Sequence, residues 1–268
     1  MPPPTVSPSS ELAGGQVPAV CPVWVRRIVI SQWGRTYAEA LKEVCARAFP
    51  RAEITPCCSG QETLASLRQN PADLLLIALT FPDMDGVDLL PIIAEEKLAT
   101  RVLVASHRRE EHSLQALRTA RFDGLIDTLE ESVETLISAL HLVAHGGAYI
   151  SPTFRSQMLD RNPPNALTQL LTPAEIQVLA AIGDGSANAE AAQRLSLSES
   201  TVQTHRRNLM RKLGISSSAK LVREAIRLGL VRITSEGNTI RPGFKKASAL
   251  ALHLGVLMSA VAGFAPPT

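Results

Sequence analysis

The sequence is poor in the features that carry enzymatic and redox chemistry. Its four cysteines, Cys21, Cys45, Cys57 and Cys58, show no metal-ligand spacing. Cys57 and Cys58 are adjacent, and neighbours in a strand point to opposite faces, so they make poor partners for each other. Reduced thiols are the expectation, with a redox sensor as the minor alternative. There is no glycine-rich loop to cradle a phosphate, no metal-ligand cluster and no nucleophile beside a base, which argues against an enzyme and against a cofactor. A basic region followed by an apolar core is missing from the N-terminal stretch, so no secretory leader is expected and the cytoplasm is the expected compartment. Net charge is only +2, but it is unevenly spread. Residues 166–233 carry nine Lys/Arg against five Asp/Glu, a net +4, whereas residues 24–150 carry thirteen against seventeen, a net −4. The positive part is the one suited to a polyanion.

A length of 268 residues with 45% hydrophobic content allows two domains with buried cores. Residues 1–23 are rich in Pro, Ser, Gly and Ala, with Glu11 as the one charge up to Pro22, and are expected to be disordered. Residues 24–150 alternate short apolar runs with longer amphipathic ones. The candidate strands are Arg27–Ser31, Glu53–Pro56, Asp73–Leu79, Arg101–Ala105 and Gly124–Ile126. The candidate helices are Thr36–Phe49, Gln61–Gln69, Val87–Lys97, His112–Arg121 and Glu130–His145. Five strands each followed by a helix predict a five-stranded parallel α/β sheet of the flavodoxin-like kind, covered on both faces, with its active edge at the carboxyl ends of the strands. Residues 151–167, including Asn162-Pro163-Pro164-Asn165, read as a proline-stiffened linker.

Residues 168–233 read as four short helices. The first runs from about Pro173 to Gly183, with Thr172 as N-cap and Glu175 in the first turn. The second, about Asn188 to Leu195, is Ala-rich on its inner side. The third follows Ser198, the expected N-cap, and ends at Gly214. Val202, His205, Leu209 and Leu213 form its inward stripe, and Gln203, Thr204, Arg206, Arg207, Met210 and Arg211 occupy the rest. The fourth, about Ser217 to Leu228, carries more apolar width than one small core needs, so part of it is available to a second subunit. A short helix, a turn and a helix with cationic and amide side chains outward is the pattern of a helix-turn-helix. Arg207 can donate two hydrogen bonds to a guanine edge, and Gln203 can pair with adenine. Arg206, Arg211 and Lys212 suit phosphates. On charge alone, a solvated face on a small helical domain explains these residues equally well.

This stretch resembles the LuxR-type (NarL/FixJ) helix-turn-helix domain. The matches are Leu171-Thr172, Glu175, Val178-Leu179, Gly185, Asn188, Glu190, Ala192, Leu195, Ser198, Thr201-Val202, His205, Asn208 and Lys212-Leu213-Gly214. Ala189 and Gln203 stand where the family often has Lys, and Ala191 replaces a usual Ile. Two lost cations weaken non-specific affinity, and Gln203 changes which base is read. The resemblance implies double-stranded DNA as partner, a two-fold homodimer, and a contact set of Asn188, Ser200, Thr201, Gln203, Thr204, Arg206, Arg207, Arg211 and Lys212.

The segment 71–90 resembles the third strand and following loop of response-regulator receiver domains, with Phe81-Pro82-Asp83-Met84-Asp85-Gly86 as the recognisable loop. Gly124 and Gly146-Gly147-Ala148-Tyr149-Ile150-Ser151-Pro152 fit the receiver-to-linker junction. Such a receiver needs an acceptor Asp after its third strand, an acidic pair after the first to hold Mg²⁺, and a Lys after the fifth. Counting from the loop, the acceptor position is Ala78, the acidic pair falls on Gln32 and Trp33, and the Lys position falls on Thr128 beside Asp127. The hydroxyl position near the end of the fourth strand survives as Ser106. No phosphoacceptor and no metal site are therefore expected. Asp73, Asp83 and Asp85 read as structural or solvated, with a substitute acceptor among them as the minor alternative. Trp33 is expected to fill the vacated pocket, or else to help bind a ligand. Arg108, Arg109, Glu110 and Glu111 read as solvated loop charges.

Residues 234–268 leave the module. Ser235 to Pro242 is polar and loop-like. Lys245-Lys246 then precedes residues 247–265, nineteen residues without Asp, Glu, Lys or Arg. That length just meets a membrane span, but the Ala and Gly content favours an apolar helix docking on protein or an unselected extension. The main reading is a DNA-binding transcription regulator with a degenerate receiver open to a partner protein or small ligand. The alternative is a protein-interaction regulator with little DNA affinity.

Overall fold

The computed structural model describes residues 25–159, 170–234, 237 and 239–241. The segment expected to be disordered, the second half of the expected linker (160–167) and the apolar stretch 247–265 lie outside the described residues. Five apolar runs form strands β1 (Arg27–Ser31), β2 (Glu53–Cys57), β3 (Ala72–Ala78), β4 (Ala99–Ser106) and β5 (Gly124–Asp127). A two-residue strand β6 (Tyr149–Ile150), too short to be legible as a period, extends the sheet. The order is β2-β1-β3-β4-β5-β6, parallel throughout. The intervening helices are α1 (Arg35–Ala48), α2 (Gly60–Gln69), α3 (Leu89–Glu95), α4 (Glu111–Thr119) and α5 (Val133–Ala144).

The run Leu74 to Ile77 shows why the strands are apolar without alternation. Leu74 and Leu76 pack with α1 and α5 residues such as Leu41 and Leu140, while Leu75 and Ile77 pack with Leu67 and Leu117 of α2 and α4. Both faces are covered, so neither series can be polar. The predicted helix 87–97 is shorter than expected. Asp85 turns its carboxylate back to accept the Val87 N–H, a single 3-10 turn (Gly86–Asp88) follows, and only then does α3 begin.

The expected linker 151–167 begins as a helix, α6 (Pro152–Leu159). Phe154 and Met158, four apart and hence on one face, are buried in the layer that holds α2, α3 and α4. Thr153 Oγ1 donates to Asp127 at 3.0 Å, and the Asp127 N–H donates to Ser151 Oγ. Pro163 and Pro164 suggested a stiff tether, but the buried pair that precedes them makes the first eight residues part of the domain.

The helical domain contains α7 (Pro173–Ile182), α8 (Asn188–Leu195), α9 (Glu199–Leu213) and α10 (Ser218–Arg227). Thr172 and Glu175 close a reciprocal capping box on α7, so two otherwise orphaned N–H groups are satisfied. Ser198 caps α9, whose last turn ends on Gly214 at φ +66°. Val178, Leu179, Ala191, Val202, Leu209, Leu221 and Ala225 form the core, and Ile226 stays exposed on α10. Met210, expected on the solvent side, is half-buried against this core. Within the stretch Ser235 to Pro242, expected to be loop-like, Thr239–Ile240 forms a strand, β8, that pairs antiparallel with β7 (Arg232–Ile233), and Arg241 returns to α7, bonding the Ala180 carbonyl and Asp184.

The two domains touch at the end of α10. The His112 N–H, in the open first turn of α4, donates to the Leu228 carbonyl at 3.1 Å. Arg232 Nη2 donates to the Phe81 carbonyl at 3.3 Å. Gly229 has φ +75°, and a Cβ there would stand 2.8 Å from the Glu110 Cβ, so both backbone shape and space demand glycine.

Candidate nucleic-acid interface

The face that matters is set by the spacing in α9. Ser200, Gln203, Thr204, Arg207 and Arg211 fall at i, i+3, i+4, i+7 and i+11 and are all exposed. The opposite face, Val202 and Leu209, is fully buried against the neighbouring helices. The helix therefore cannot turn its outward row away without exposing its core row. Burying two such side chains stabilises this orientation by about 3–6 kcal/mol.

The proposed contact residues divide by what already holds them. Arg207 has no hydrogen bond or ion pair with the described residues. Gln203 likewise projects free. Arg211 reaches Asn208 Oδ1 at 3.2 Å, a contact within its own helix that water or phosphate can replace. Arg206 donates to Asn188 Oδ1 at 2.8 Å, which joins the start of α8 to α9. Lys212 donates to Glu175 Oε2 at 2.7 Å, and Glu175 is buried in the α7 capping box. Burial would raise the Glu175 pKa, but the bonds from Lys212 and Thr172 prevail and hold it below the usual carboxylate range. Lys212 is thus tied to the scaffold, and its remaining donors alone face outward. The hydroxyls of Ser200 and Thr201 meet the Ser198 cap at 2.9 and 2.7 Å, and Thr204 Oγ1 donates to the Ser200 carbonyl. What the arrangement offers is a rigid row with one unattached guanidinium and one unattached carboxamide, flanked by cations whose aim is set by Asn188 and Glu175.

The carboxyl edge of the receiver-like sheet is the second place where polar side chains gather. Ala78 ends β3 opposite Ala105, and Ser106 ends β4 opposite Asp127. Gln32 Nε2 donates to the Trp33 carbonyl. Trp33 is 41% exposed, so it does not fill a vacated pocket as expected; nearby, the buried Ser31 and Thr63 hydroxyls bond each other at 2.6 Å. A methyl, a carboxamide and an indole do not fit Mg²⁺, which needs anionic oxygens. Ser106 Oγ accepts the Arg108 N–H at 3.0 Å, and Thr128 Oγ1 lies 3.3 Å from His107 Nδ1.

Here the loop charges depart from expectation. Arg108 is 3% exposed and Asp85 is 1% exposed, and they form a two-pronged pair at 2.6 and 3.2 Å. Arg108 also donates to the Leu79 carbonyl. It was expected to be solvated; Asp85 in the loop after β3 gives it a buried counter-charge. Burial lowers the Arg108 pKa and Asp85 raises it, with a net rise. Asp127 is buried too and accepts from Arg109, Thr153 and the Leu129 N–H; burial raises its pKa, but these donors leave it lowered. Asp73 accepts the Arg26 and Arg27 N–H groups, and Asp83 accepts those of Gly60 and Gln61, so both serve the fold. Nothing in the spacing of Asp85 and Arg108, twenty-three residues apart, signals that they meet; the strand register alone brings their loops together.

Residues 169–225 match the bacterial regulatory proteins of the luxR family, and residues 35–138 match the response regulator receiver domain. The chain is 34% identical over 166 residues to the transcriptional regulatory protein UhpA of Escherichia coli, covering 62% of this chain and 80% of that protein. It is 32% identical over 213 residues to the uncharacterized transcriptional regulatory protein YhcZ of Bacillus subtilis, covering 76% of this chain and 97% of that one. In fold it is similar to the RcsB response regulator of Salmonella typhimurium, with a TM-score of 0.52 at 18% identity over 76% of this chain and 98% of that chain. The chain belongs to the LuxR-family response regulators, in which a receiver domain precedes a LuxR-type helix-turn-helix. It is a transcriptional regulator with a DNA-binding LuxR-type domain.

Proposed function

We propose that this regulator reads duplex DNA in a sequence-specific way through the outward row of α9, and does so without aspartyl phosphorylation. The observation that carries the first part is the exposed row of Ser200, Gln203, Thr204, Arg207 and Arg211 on a helix locked by its buried opposite face. Arg207 and Gln203 read base edges; Arg206, Arg211 and Lys212 take phosphates, with Asn188, Ser200, Thr201 and Thr204 at the margin. The exposed Ile226 on α10 supports pairing of two copies, each on a half-site. The expected setting is the cytoplasm, where the DNA lies; among the described residues no helix is long and apolar enough to cross a membrane.

The second part rests on Ala78, which has no nucleophile, and on Gln32 and Trp33, which offer no metal ligand. Incubation with acetyl phosphate and Mg²⁺ is expected to leave the intact mass unchanged; an added phosphoryl group on any Asp overturns it. DNA affinity is expected to fall steeply with salt, with a log–log slope of about −0.9 per phosphate neutralised. A flat salt response removes the DNA reading and leaves the protein-interaction alternative.

A further inference from the structure

We infer that Arg232 is a positioning residue for DNA recognition: it latches the helix-turn-helix domain onto the buried Asp85–Arg108 pair and so sets where α9 stands. This rests on the DNA-binding reading for its effect on recognition, but the latch itself is a matter of geometry. Asp85 and Arg108 join the loop after β3 to the loop after β4. Arg232 enters from the other domain, donating to the Phe81 carbonyl at the start of the same loop, with its Nε 3.9 Å from Asp85 Oδ2. On the receiver side the cluster holds Asp85 and Glu110 against Arg108, a net −1; Arg232 supplies the missing positive charge. The two surfaces are therefore complementary, and neither cluster is neutral alone.

Two further features seat the same contact. The His112 N–H, one of the orphan donors of the first turn of α4, finds its acceptor in Leu228 of the other domain. Gly229 brings its backbone against Glu110, where no larger residue fits. The fit is nonetheless incomplete. Arg232 Nε, Arg108 Nε and Glu110 Oε2 are buried without a hydrogen bond, so the charges attract across distances that a bond would shorten. Such a latch opens more readily than a fully bonded one. Docking leaves the outward row of α9 exposed. It does not cover the reading face; it restrains its direction, and hence the separation at which two copies can read two half-sites.

The test uses the full chain. Hydrogen exchange at the His112 amide reports docking directly, because its acceptor is in the other domain. Arg232→Ala is expected to speed that exchange at least ~10-fold, the equilibrium loss of about one charged hydrogen bond. The Leu209 amide inside α9 should keep its rate, and Arg232→Lys should lie between. In vitro selection from a random duplex pool should then give one half-site spacing for the unaltered protein, and the same half-site sequence at scattered spacings for Arg232→Ala. Unchanged His112 exchange overturns the latch, and acceleration at Leu209 as well overturns it by making Arg232 a folding residue. Faster His112 exchange with one unaltered spacing overturns the positioning role. If neither protein enriches any duplex, the DNA reading fails while the exchange result still decides the latch.

Discussion

At the scale of single residues, the same type of side chain does opposite work according to what surrounds it. Arg207 is unattached and exposed, whereas Arg108 is sealed against Asp85. Replacing Arg207 by Ala is expected to cost about 1–3 kcal/mol for the preferred sequence and little for others, while Arg211→Ala should weaken all sequences alike and reduce the salt slope by about 1. Fluorescence anisotropy on matched and scrambled duplexes at several salt concentrations separates the two outcomes. For the sealed pair, Asp85→Asn should destabilise the protein by about 3–5 kcal/mol, because it leaves a buried cation uncompensated. Asp85→Leu combined with Arg108→Met should cost less than either change alone, since the buried charges leave together. Urea denaturation of Asp85→Asn, of the two other single changes and of their combination measures this, and strict additivity of Asp85→Leu and Arg108→Met contradicts it.

At the scale of elements, caps and stripes were legible from the chain and long-range partners were not. Thr172, Ser198 and Gly214 mark helix ends through bonds spanning three or four residues, so the sequence carries them whole. Ser198→Ala should lower stability by about 1 kcal/mol and fray the first turn of α9, seen as a lower Tm and faster exchange at Thr201. The α9 row was legible too, Met210 apart, because a helical period needs no tertiary information. The helix α6 was missed since only Phe154 and Met158 carry its apolar face and two prolines follow closely. Strand β6 and the β7–β8 hairpin are two residues per strand, too short for any period to register. The Asp85–Arg108–Arg232 cluster depends on strand order and on how two domains meet, and neither is written in local spacing.

At the scale of the whole molecule, acid is expected to loosen it in two stages. Burial, the field of Arg108 and opposing pulls from Asp85 and Glu110 leave the His112 pKa lowered, and burial with His145 nearby lowers that of His141. A lowered folded-state value means the unfolded chain binds the proton first, so the stability these groups confer is present above the ordinary value of 6.5 and is lost as pH falls below it. Asp127, Glu175 and Asp184 are lowered as well, so their contribution disappears at more acidic pH, below the ordinary carboxylate range. The urea midpoint measured from pH 7.5 down to 3.5 should decline first as pH falls below the ordinary histidine value and again below the ordinary carboxylate values; a flat profile between 7 and 5 counts against the lowering at His112. Helix α6 has one more consequence. Because Phe154 and Met158 anchor it, the connection between the last turn of α6 and the first of α7 is at most the thirteen residue steps from Leu159 to Thr172. Fully drawn out, it spans roughly 45 Å, a little more than one turn of a double helix. Even unlatched, the reading head works on a short leash.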